Sequence, residues 1–352
     1  MEPVRLGLIG CGVIGAGAHL PAATRSELFD VVALADLLPE RVQAASERFG
    51  VATTYPSGDD LLRDGRVEAV VLAMPAGVRS PLALRALAAG KHVLLEKPIA
   101  CHADQVRAML AARGDRVVAC CSPRFLTTES ARVATACVAS GVLGELRVVR
   151  ARAIVPAGPA PVKPPPPWRV SHELNGGGIL VNWGCYDLDY VMGLTGWRLR
   201  PRTVLAQTWP LADHLRARVD PCSDADNHFV ALIRCDGGTV IGFERGEFVS
   251  AAGDEAWQIL GSHGSLRLSI HAGKGKQLLL DESTADAGTT TRVLWSGDED
   301  GSVHTPRVQD NFARAIRCGE PVFTSLERAL VMQQITDAIY ASARTGQAVS
   351  ID

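Results

Sequence analysis

The sequence predicts an α/β protein with an N-terminal doubly wound parallel sheet and a C-terminal α+β domain that holds a large open, mostly antiparallel sheet. A glycine-rich turn follows the first apolar strand, and strand and helix patterns then alternate over the first third of the chain. After residue 125, strand-like runs follow one another without helices between them. Alternating units build parallel sheets, whereas consecutive strands build antiparallel ones. We therefore expect two domains, residues 1–123 and 124–352, with final helices that can pack back on the first.

The first motif is a G-x-G-x-x-G run between an apolar strand and a helical segment. Its first glycine permits a tight turn, the second lets backbone approach a pyrophosphate, and the third lets the helix pack on the strand. Asp36 ends the next apolar run about 20 residues further on, where a carboxylate binds ribose hydroxyls. A plain tight turn is the alternative to the Rossmann-type dinucleotide site that we expect here. The residues of the run are Gly10, Cys11, Gly12, Val13, Ile14 and Gly15.

Asp36 also indicates which dinucleotide is bound. Its carboxylate can accept hydrogen bonds from the ribose hydroxyls of NAD, and its charge repels the 2′-phosphate of NADP. The nearest cation that could offset this repulsion is Arg41. NAD is therefore the expected cofactor, and NADP is less favoured.

The composition excludes several classes of protein. The 352 residues are 47% hydrophobic and 21% charged, with a formal net charge of -2, so neither nucleic acid nor a membrane is expected as a partner. No apolar stretch reaches the roughly 20 residues of a membrane span, and the glycine-rich run begins too near Met1 for a signal peptide. The nine cysteines include no C-x-x-C pair. We expect reduced thiols, no metal ion and a cytoplasmic protein.

The elements of the first domain place several polar or glycine positions together. Helices are expected over residues 39–49, 81–89 and 103–113, and strands over 67–74, 91–95 and 116–121. Val67 to Met74 is an apolar run, as in a strand covered on both faces, and Gly90 is suited to end a helix. In such a sheet, ligands bind beyond the carboxyl ends of the strands. The positions that fall there are Gly10, Asp36, Met74, Pro75, Glu96 and Lys97.

The second domain is expected to begin with a helix over residues 125–140, stopped by Gly141, and a strand over 146–155. A proline-rich loop, residues 156–167, is either a rigid surface connection or a wall of the substrate site. The remaining expected elements are a helix over 178–194, strands over 202–209, 227–235, 239–248, 257–261 and 265–270, and helices over 306–318 and 325–343.

Further segments carry a family resemblance. Glu96-Lys97-Pro98 ends a strand, Ser140-Gly-Val-Leu-Gly-Glu145 follows the next long helix, and a triple-glycine helix begins at Gly176. In this order and spacing after the glycine-rich run, they resemble the Gfo/Idh/MocA oxidoreductases over nearly the whole chain. Members of that family act mainly on sugars and cyclitols. The resemblance implies a Rossmann domain, a second domain built on a large open sheet, and a homodimer or homotetramer joined through that sheet.

The resemblance implies that Lys97 is the catalytic lysine and that its turn lies against the nicotinamide. An amine at the end of a buried strand can hydrogen-bond a substrate oxygen, and it can pass a proton if burial lowers its pKa. The alternative is a surface lysine paired with Glu96.

Asn182 and Tyr186 stand where the family usually has Asp and His. Their i, i+4 spacing places both on one face of a helix. A Lys97 ammonium would lower the pKa of the Tyr186 hydroxyl, and Asn182 removes a negative charge that would hold Lys97 protonated. We expect Lys97 and Tyr186 to form a proton-transfer pair and Asn182 to orient the substrate. The alternative for Tyr186 is a packed aromatic side chain whose hydroxyl bonds to backbone.

Three arginines complete the expected site. Arg124 and Arg169 match basic positions of the family's site, although each could equally form an ordinary ion pair that joins the two domains. Arg79 stands where the family often has His, and it could bind an acidic group. The residues expected to contact the cofactor are Gly10, Cys11, Gly12, Val13, Ile14, Gly15, Asp36, Met74, Pro75, Glu96, Lys97 and Arg124. The residues expected to contact the substrate are Lys97, Arg124, Arg169, Asn182 and Tyr186.

These residues and the resemblance together predict an NAD(P)-dependent oxidoreductase. It would move a hydride between nicotinamide and a secondary alcohol or ketone of a sugar, aminosugar or cyclitol, while the protein supplies orientation and proton transfer. Two alternatives stay open: a non-catalytic regulator of the same fold that senses a dinucleotide or sugar, and an enzyme that recycles bound NAD while it cleaves glycosides.

Overall fold

The computed structural model describes residues 1–159, 161–163 and 165–351. The chain divides into two compact units, residues 1–124 with 302–333 and residues 125–301 with 334–352. Each unit is built on one sheet. The α/β class expected from the sequence is confirmed, with a parallel first sheet and a mostly antiparallel second one.

The first sheet has six strands in the order β3-β2-β1-β4-β5-β6, and all neighbours are parallel. The order changes direction between β1 and β4, and ligands bind at the carboxyl ends of the strands beside such a switch point. The central strand β4 is buried along its whole length. The strands are β1 (Val4–Ile9), β2 (Phe29–Ala35), β3 (Thr54–Tyr55), β4 (Ala69–Leu72), β5 (His92–Leu95) and β6 (Val118–Cys120).

Helices connect these strands and cover the sheet. A π-helical turn, Gly15–His19, leads into the first helix. The second helix has Pro39 in its first turn and ends at Gly50, whose φ of 70° is left-handed, as the preferences of proline and glycine dictate. The helices before residue 124 are α1 (Leu20–Arg25), α2 (Pro39–Phe49), α3 (Gly58–Leu62), α4 (Ala76–Ala88) and α5 (Ala103–Ala112).

The second sheet has nine strands in the order β14-β13-β12-β11-β7-β10-β9-β8-β15. Within the described part of this sheet, β7 and β10 pair in parallel and all other neighbours pair antiparallel. The strands are β7 (Leu146–Pro156), β8 (Pro201–Pro210), β9 (Asp226–Cys235), β10 (Val240–Val249), β11 (Asp254–Gly261), β12 (Gly264–Leu268), β13 (Lys276–Thr284), β14 (Gly288–Gly297) and β15 (Val349–Ser350).

The remaining helices follow in chain order. They are α6 (Glu129–Ala139), α7 (His172–Asn175), α8 (Cys185–Leu194), α9 (His304–Cys318) and α10 (Leu326–Thr345). Helix α9 belongs to the first unit, where Val308 and Phe312 lie in the same core as Leu6 of β1. Among the described residues, no helix combines the length and apolar character that crossing a bilayer requires.

One face of the second sheet is covered and the other is open. Phe229 and Phe243 are buried and contact each other edge to face, with ring centroids 4.7 Å apart. Gly184, at the start of α8, approaches both rings, since a Cβ there would lie 3.1 Å from Phe243 and 3.6 Å from Phe229. On the alternate positions Leu205 and Leu232 are more than half exposed. The period-two alternation of the strands therefore separates a packed face from an open one.

Several elements differ in their bounds from the expected ones, and others, such as β3, α3, α7 and β15, were not expected. The helix expected from residue 81 begins at Ala76, and Pro81 lies inside it; burial of the helix offsets the hydrogen bond that proline removes. The helix expected over 125–140 is a 3-10 turn followed by α6, because Thr128 is extended and caps α6 by accepting the N–H of Ala131 at 3.2 Å. The hairpin of β13 and β14 was not expected, because β14 is mostly exposed and polar. In the proline-rich loop, residues 160 and 164 lie outside the described part.

Candidate functional site

The glycine-rich turn closes tightly on the end of β1. Gly10 has a φ of 100°, and its N–H donates to the Ala35 carbonyl at 2.8 Å. A Cβ on Gly10 would lie 2.5 Å from the Ala73 oxygen, and one on Gly15 would lie 1.8 Å from the Gly10 oxygen. Backbone contacts therefore require both glycines: Gly10 approaches the residue after β4, and Gly15 approaches Gly10 within the turn.

The second glycine leaves open space beside the turn. Apart from its chain neighbours, the one described group within 4 Å of a Cβ on Gly12 would be the Arg41 guanidinium, at 3.8 Å. Val13 and Ile14 are 89% and 41% exposed. The first N–H groups of a helix have no partner within the helix, and they favour an anion. An open cradle beside such donors fits the diphosphate of a dinucleotide.

Asp36 supports the turn and remains available to a ligand. One carboxylate oxygen accepts the N–H of Cys11 at 2.7 Å, and the other accepts the N–H of Leu38 at 2.9 Å. The residue is half-buried. Because a carboxylate offers about four lone-pair sites, it can hold both N–H groups and still accept ribose hydroxyls.

Glu96 is the centre of a buried polar network at the end of β5. One oxygen accepts from His19 at 2.8 Å and also pairs with Arg124; the other accepts the backbone N–H of Lys97 at 2.9 Å. Burial raises the pKa of the Glu96 carboxyl, but Arg124 and the His19 hydrogen bond outweigh burial and hold that pKa well below its ordinary value of 4.5. Glu96 therefore stays ionised and fixes the backbone of Lys97.

The same network contains three groups of the kinds that can bind a metal ion. The ligand atoms of His19, Glu96 and Cys121 lie within 4.8 Å of one another. Burial raises the pKa of the Cys121 thiol well above 9.0, whereas metals bind the thiolate. Arg124 also brings a positive charge to the Glu96 carboxylate. These groups suit a hydrogen-bonded network better than a cation site.

Arg79 does not bind an acidic group from a position on the surface. Its side chain is 1% exposed, and its guanidinium donates to the carbonyls of Met74 and Pro98. The suggestion that Arg79 could bind an acidic group of a ligand has no support here, because the side chain faces the protein interior. Met74 and Pro75 are half-buried, as is Lys97.

At the start of the glycine-rich helix of the second unit, other residues approach the helix backbone closely. A Cβ on Gly177 would lie 1.8 Å from the Tyr340 hydroxyl, and one on Gly178 would lie 1.8 Å from the Asp226 oxygen. The Asp226 carboxylate accepts the N–H groups of Gly178 at 2.9 Å and Leu180 at 3.0 Å, and the Tyr340 hydroxyl donates to it at 2.6 Å. Asp226 and Tyr340 together fix this end of the helix. Sequence reasoning missed both residues.

The Asn182 amide is occupied within the second unit. Its nitrogen donates to the carbonyls of Arg169 at 2.7 Å and Gly178 at 2.9 Å, and its oxygen accepts from Asn175 at 3.1 Å. Asn182 lies in a π-helical turn, Leu180–Gly184, rather than in the regular helix that the i, i+4 argument assumed. The observed contacts hold the Arg169 segment in place.

Tyr186 lies in an aromatic cluster at the start of α8. It is 6% exposed, and its ring meets Phe125 at 5.2 Å and Trp183 at 5.5 Å between centroids. The next residue, Asp187, accepts two hydrogen bonds from the buried Arg245, at 2.6 and 2.8 Å. This buried ion pair anchors the helix beside Tyr186, and sequence reasoning did not identify it.

Both arginines expected to contact substrate form ion pairs in the structure. Arg169 donates to both oxygens of Glu247, at 3.0 and 2.9 Å, and Arg124 pairs with Glu96. Each ion pair joins residues of the same unit, so neither is the domain-joining pair raised as the alternative. Lys97 belongs to the first unit, and Asn182 and Tyr186 belong to the second.

The hydrogen bond from Tyr340 to Asp226 gives a testable prediction. Burial and the Asp226 carboxylate raise the pKa of Tyr340 well above its ordinary value of 10.0, so this hydroxyl keeps its proton in the folded state where the unfolded chain loses it. Its stabilisation is full below about pH 10 and is lost as the pH rises through the folded-state pKa. We expect Tyr340→Phe to lower the free energy of unfolding by about 1.5–3 kcal/mol at neutral pH.

Tyr55→Phe is the matched control, because Tyr55 is half-buried like Tyr340 and its hydroxyl also donates to a carboxylate, that of Asp64 at 3.0 Å, which in addition pairs with Arg66. Urea unfolding at neutral and alkaline pH measures both variants. A Tyr340→Phe protein no less stable than Tyr55→Phe would contradict the role given to this hydrogen bond.

Two family models match the chain. One, described as an oxidoreductase family with an NAD-binding Rossmann fold, matches residues 4–121. The other, described as the GFO/IDH/MocA C-terminal domain, matches residues 131–267. Together they span well over half of the chain.

Curated proteins and solved structures are similar over most of the chain. The dTDP-3,4-didehydro-2,6-dideoxy-alpha-D-glucose 3-reductase of Streptomyces violaceoruber is 30% identical over 85% of this chain and 82% of its own. An uncharacterized oxidoreductase of Rhizobium meliloti, ORF334, is 28% identical over 98% of both chains. Levoglucosan dehydrogenase in complex with NADH has a TM-score of 0.85 at 22% identity and covers 100% of both chains. At that identity the structural likeness concerns the fold.

Proposed function

Because the chain belongs to the Gfo/Idh/MocA family of oxidoreductases, we propose that it transfers a hydride between NAD and a secondary alcohol or ketone of a sugar or cyclitol. One observation carries the proposal furthest. Glu96 ties the backbone of Lys97 to His19, which lies in the π-helical turn directly after the glycine-rich run. A cofactor cradle and a candidate catalytic amine are thus held by one buried carboxylate.

The dinucleotide supplies the hydride chemistry when it is bound. The glycine-rich run would hold its diphosphate, and Asp36 would hold its adenosine ribose. Met74 and Pro75, with the Glu96-Lys97 turn, would border the nicotinamide. Arg124 would contribute to the nicotinamide site indirectly, because its ion pair holds Glu96 in place. The Asp36 charge favours NAD over NADP, with Arg41 the nearby cation that limits this preference.

Lys97 and Tyr186 are the groups that we propose for proton transfer. An amine and a phenol can both exchange a proton with a substrate oxygen, and the ammonium form of Lys97 would favour the phenolate form of Tyr186. Asn182 would contribute by holding the Arg169 segment, since its amide already bonds to that backbone.

The charges beside these residues favour a neutral substrate. Arg169 is paired with Glu247 and Arg124 with Glu96, so the positive charge of each guanidinium is already balanced by a carboxylate. Of the named relatives, the levoglucosan dehydrogenase fits this preference, whereas the dTDP-sugar reductase does not, because a dTDP-sugar carries a charged diphosphate. The charges of the paired arginines favour a sugar or cyclitol without an acidic group as the substrate class.

The open face of the second sheet supports an oligomer. Leu205 and Leu232 are cross-strand partners on β8 and β9, 51% and 57% exposed, and Val230 on β9 is 40% exposed. Adjacent exposed apolar side chains on a sheet mark an interaction surface. We propose a homodimer or homotetramer joined through this face.

The proton-transfer pair is tested by substitution. Lys97→Met and Tyr186→Phe should each lower kcat/KM by about 100- to 10,000-fold, because each removes a group that exchanges a proton in the transition state. Reduced-nicotinamide absorbance with a panel of neutral sugars and cyclitols measures turnover, and NADH titration checks that cofactor still binds.

Tyr190→Phe is the control, since Tyr190 is a buried tyrosine of the same helix whose hydroxyl donates to the Ser269 carbonyl at 3.4 Å. It should keep its turnover. Full activity in Tyr186→Phe would remove Tyr186 from the proton path, and full activity in Lys97→Met would overturn the proposed role of the lysine.

Cofactor preference is tested with Asp36→Asn. The amide keeps the shape of the side chain but removes the charge that repels a 2′-phosphate. We expect the ratio of kcat/KM for NAD to that for NADP to fall at least about 10-fold, a factor that corresponds to roughly 1.4 kcal/mol. Asp59→Asn, which removes an exposed partner of Arg85, should leave the ratio unchanged. An unchanged ratio in Asp36→Asn would contradict this role for the carboxylate.

Assembly is tested by sedimentation. Leu232→Glu places a charge in the exposed apolar patch and should shift the protein toward monomer, since an unpaired charge is costly in a buried interface. Val162→Glu, at a fully exposed position elsewhere, should not change the sedimentation coefficient. A monomeric wild-type protein would refute the proposed oligomer.

A further inference from the structure

Strands β4 and β5 lose their hydrogen-bonded pairing just before the candidate site. The last paired residues are Leu72 and Leu95, and the Glu96 N–H still donates to the Leu72 carbonyl at 3.2 Å. Beyond that bond, β4 continues into the Met74-Pro75 segment and β5 continues into the Lys97-Pro98 segment. Parallel strands carry no pairing beyond their ends, so another group must fix these segments relative to each other.

Arg79 is the group that joins them. It lies in the early turns of α4, is 1% exposed, and donates from one guanidinium nitrogen to the Met74 carbonyl and from another to the Pro98 carbonyl. A guanidinium carries five N–H donors in a rigid planar fork, so a single side chain can bond two carbonyls at a fixed spacing. Such a bridge replaces the missing ladder bonds beyond the strand ends.

The Lys97-Pro98 segment is consequently held at both ends. The Lys97 N–H donates to Glu96 at 2.9 Å, and the Pro98 carbonyl accepts from Arg79. Burial lowers the pKa of Arg79, whereas the Glu96 carboxylate acts in the opposite direction and stabilises the cation. The positive charge of Arg79 thus has a buried counter-charge in the same network.

We propose that Arg79 is a positioning residue, which fixes the Lys97-Pro98 turn against the Met74-Pro75 segment and so sets where the Lys97 amine stands for proton transfer. The proposal rests on the proposed function, because it assigns the turn to that reaction. A displacement of about 1 Å can cost on the order of 100-fold in rate. Loss of the bridge should therefore lower kcat more than it weakens NADH binding.

Lys91 offers a matched control in the same unit. It is 7% exposed, and its ammonium donates to the backbone carbonyls of Asp64 at 2.9 Å and Val67 at 2.7 Å. It is likewise a buried cation that bridges two carbonyls, but it does so just before the amino-terminal ends of β4 and β5. Lys91→Met should destabilise the fold without disturbing the Lys97 turn.

The experiment compares Arg79→Met, Arg79→Lys and Lys91→Met. Hydrogen exchange without cofactor, read by mass spectrometry, should show at least about 10-fold faster exchange in peptides that cover residues 74–76 and 97–101 of Arg79→Met. In Lys91→Met the increase should fall on residues 63–68. Arg79→Lys should recover part of the protection, because an ammonium can bond the same carbonyls.

Kinetics separate positioning from general stability. Arg79→Met should lower kcat about 10- to 100-fold and shift the pH at which kcat titrates, whereas its NADH dissociation constant should change less than about 3-fold. Lys91→Met should keep the wild-type kcat and pH profile. If Arg79→Met does not fold, the smaller changes expected for Arg79→Lys in the same measurements carry the test.

Two results would overturn the proposal. One is unchanged exchange at residues 97–101 in the Arg79 variants; the other is an Arg79 variant with the kcat and pH profile of Lys91→Met. Failure of the proposed function would look different, because wild-type protein would then show no turnover with any sugar or cyclitol. The exchange measurement would still report whether Arg79 holds the turn.

Discussion

The ionised carboxylate of Glu96 is the constraint on which the functional end of the first unit depends. A buried charge costs several kcal/mol unless it is paired and hydrogen-bonded. Glu96 meets that requirement with His19, Arg124 and the Lys97 N–H. These partners lie after β1, after β6 and directly after β5, so one side chain binds three chain segments. Hydrogen bonds have narrower ranges of distance and angle than apolar contacts, and the segments that they join are fixed correspondingly well.

In the second unit, the position of the site helix is fixed by residues that approach its backbone closely. Gly177 and Gly178 allow Tyr340 and Asp226 to contact the start of the helix, where any side chain would collide with them. The Asp187–Arg245 pair then holds the next turn against the sheet, with Trp183 stacked 4.9 Å from the Arg245 guanidinium. Backbone proximity and a buried ion pair therefore position Tyr186 within its helix.

The sequence predicted the parts of the molecule whose chemistry is local. The glycine-rich run and Asp36 lie in one strand–turn–helix–strand unit, so their spacing alone indicated a Rossmann-type turn. The hydrogen bond by which Asp36 supports that turn was not expected. The pairs Arg124–Glu96 and Asp187–Arg245 join residues 28 and 58 positions apart. A single sequence with 31 arginines offers many such pairings, and only the folded chain selects among them.

Two expectations lack support in the structure for a similar reason. Arg79 is a charged residue close to a predicted site, which suggested a ligand contact; its burial depends on where α4 packs, and α4 begins five residues before the expected start. The direction in which the Asn182 side chain points was inferred from regular helical geometry. Its amide instead bonds to the Arg169 carbonyl, 13 residues earlier in the chain, a contact that periodicity does not encode.

In both units a π-helical turn precedes the helix beside the candidate site: Gly15–His19 in the first unit and Leu180–Gly184 in the second. Such a turn closes its hydrogen bond over one residue more than a regular turn does. Deleting that residue would restore regular winding and rotate the preceding segment relative to the following one by about 100° around the axis. The directions in which the side chains of His19 and Tyr186 point therefore depend on the number of residues in these turns as well as on the residue types. An alignment without a gap to a relative that lacks the extra residue would assign the wrong side chain to the site.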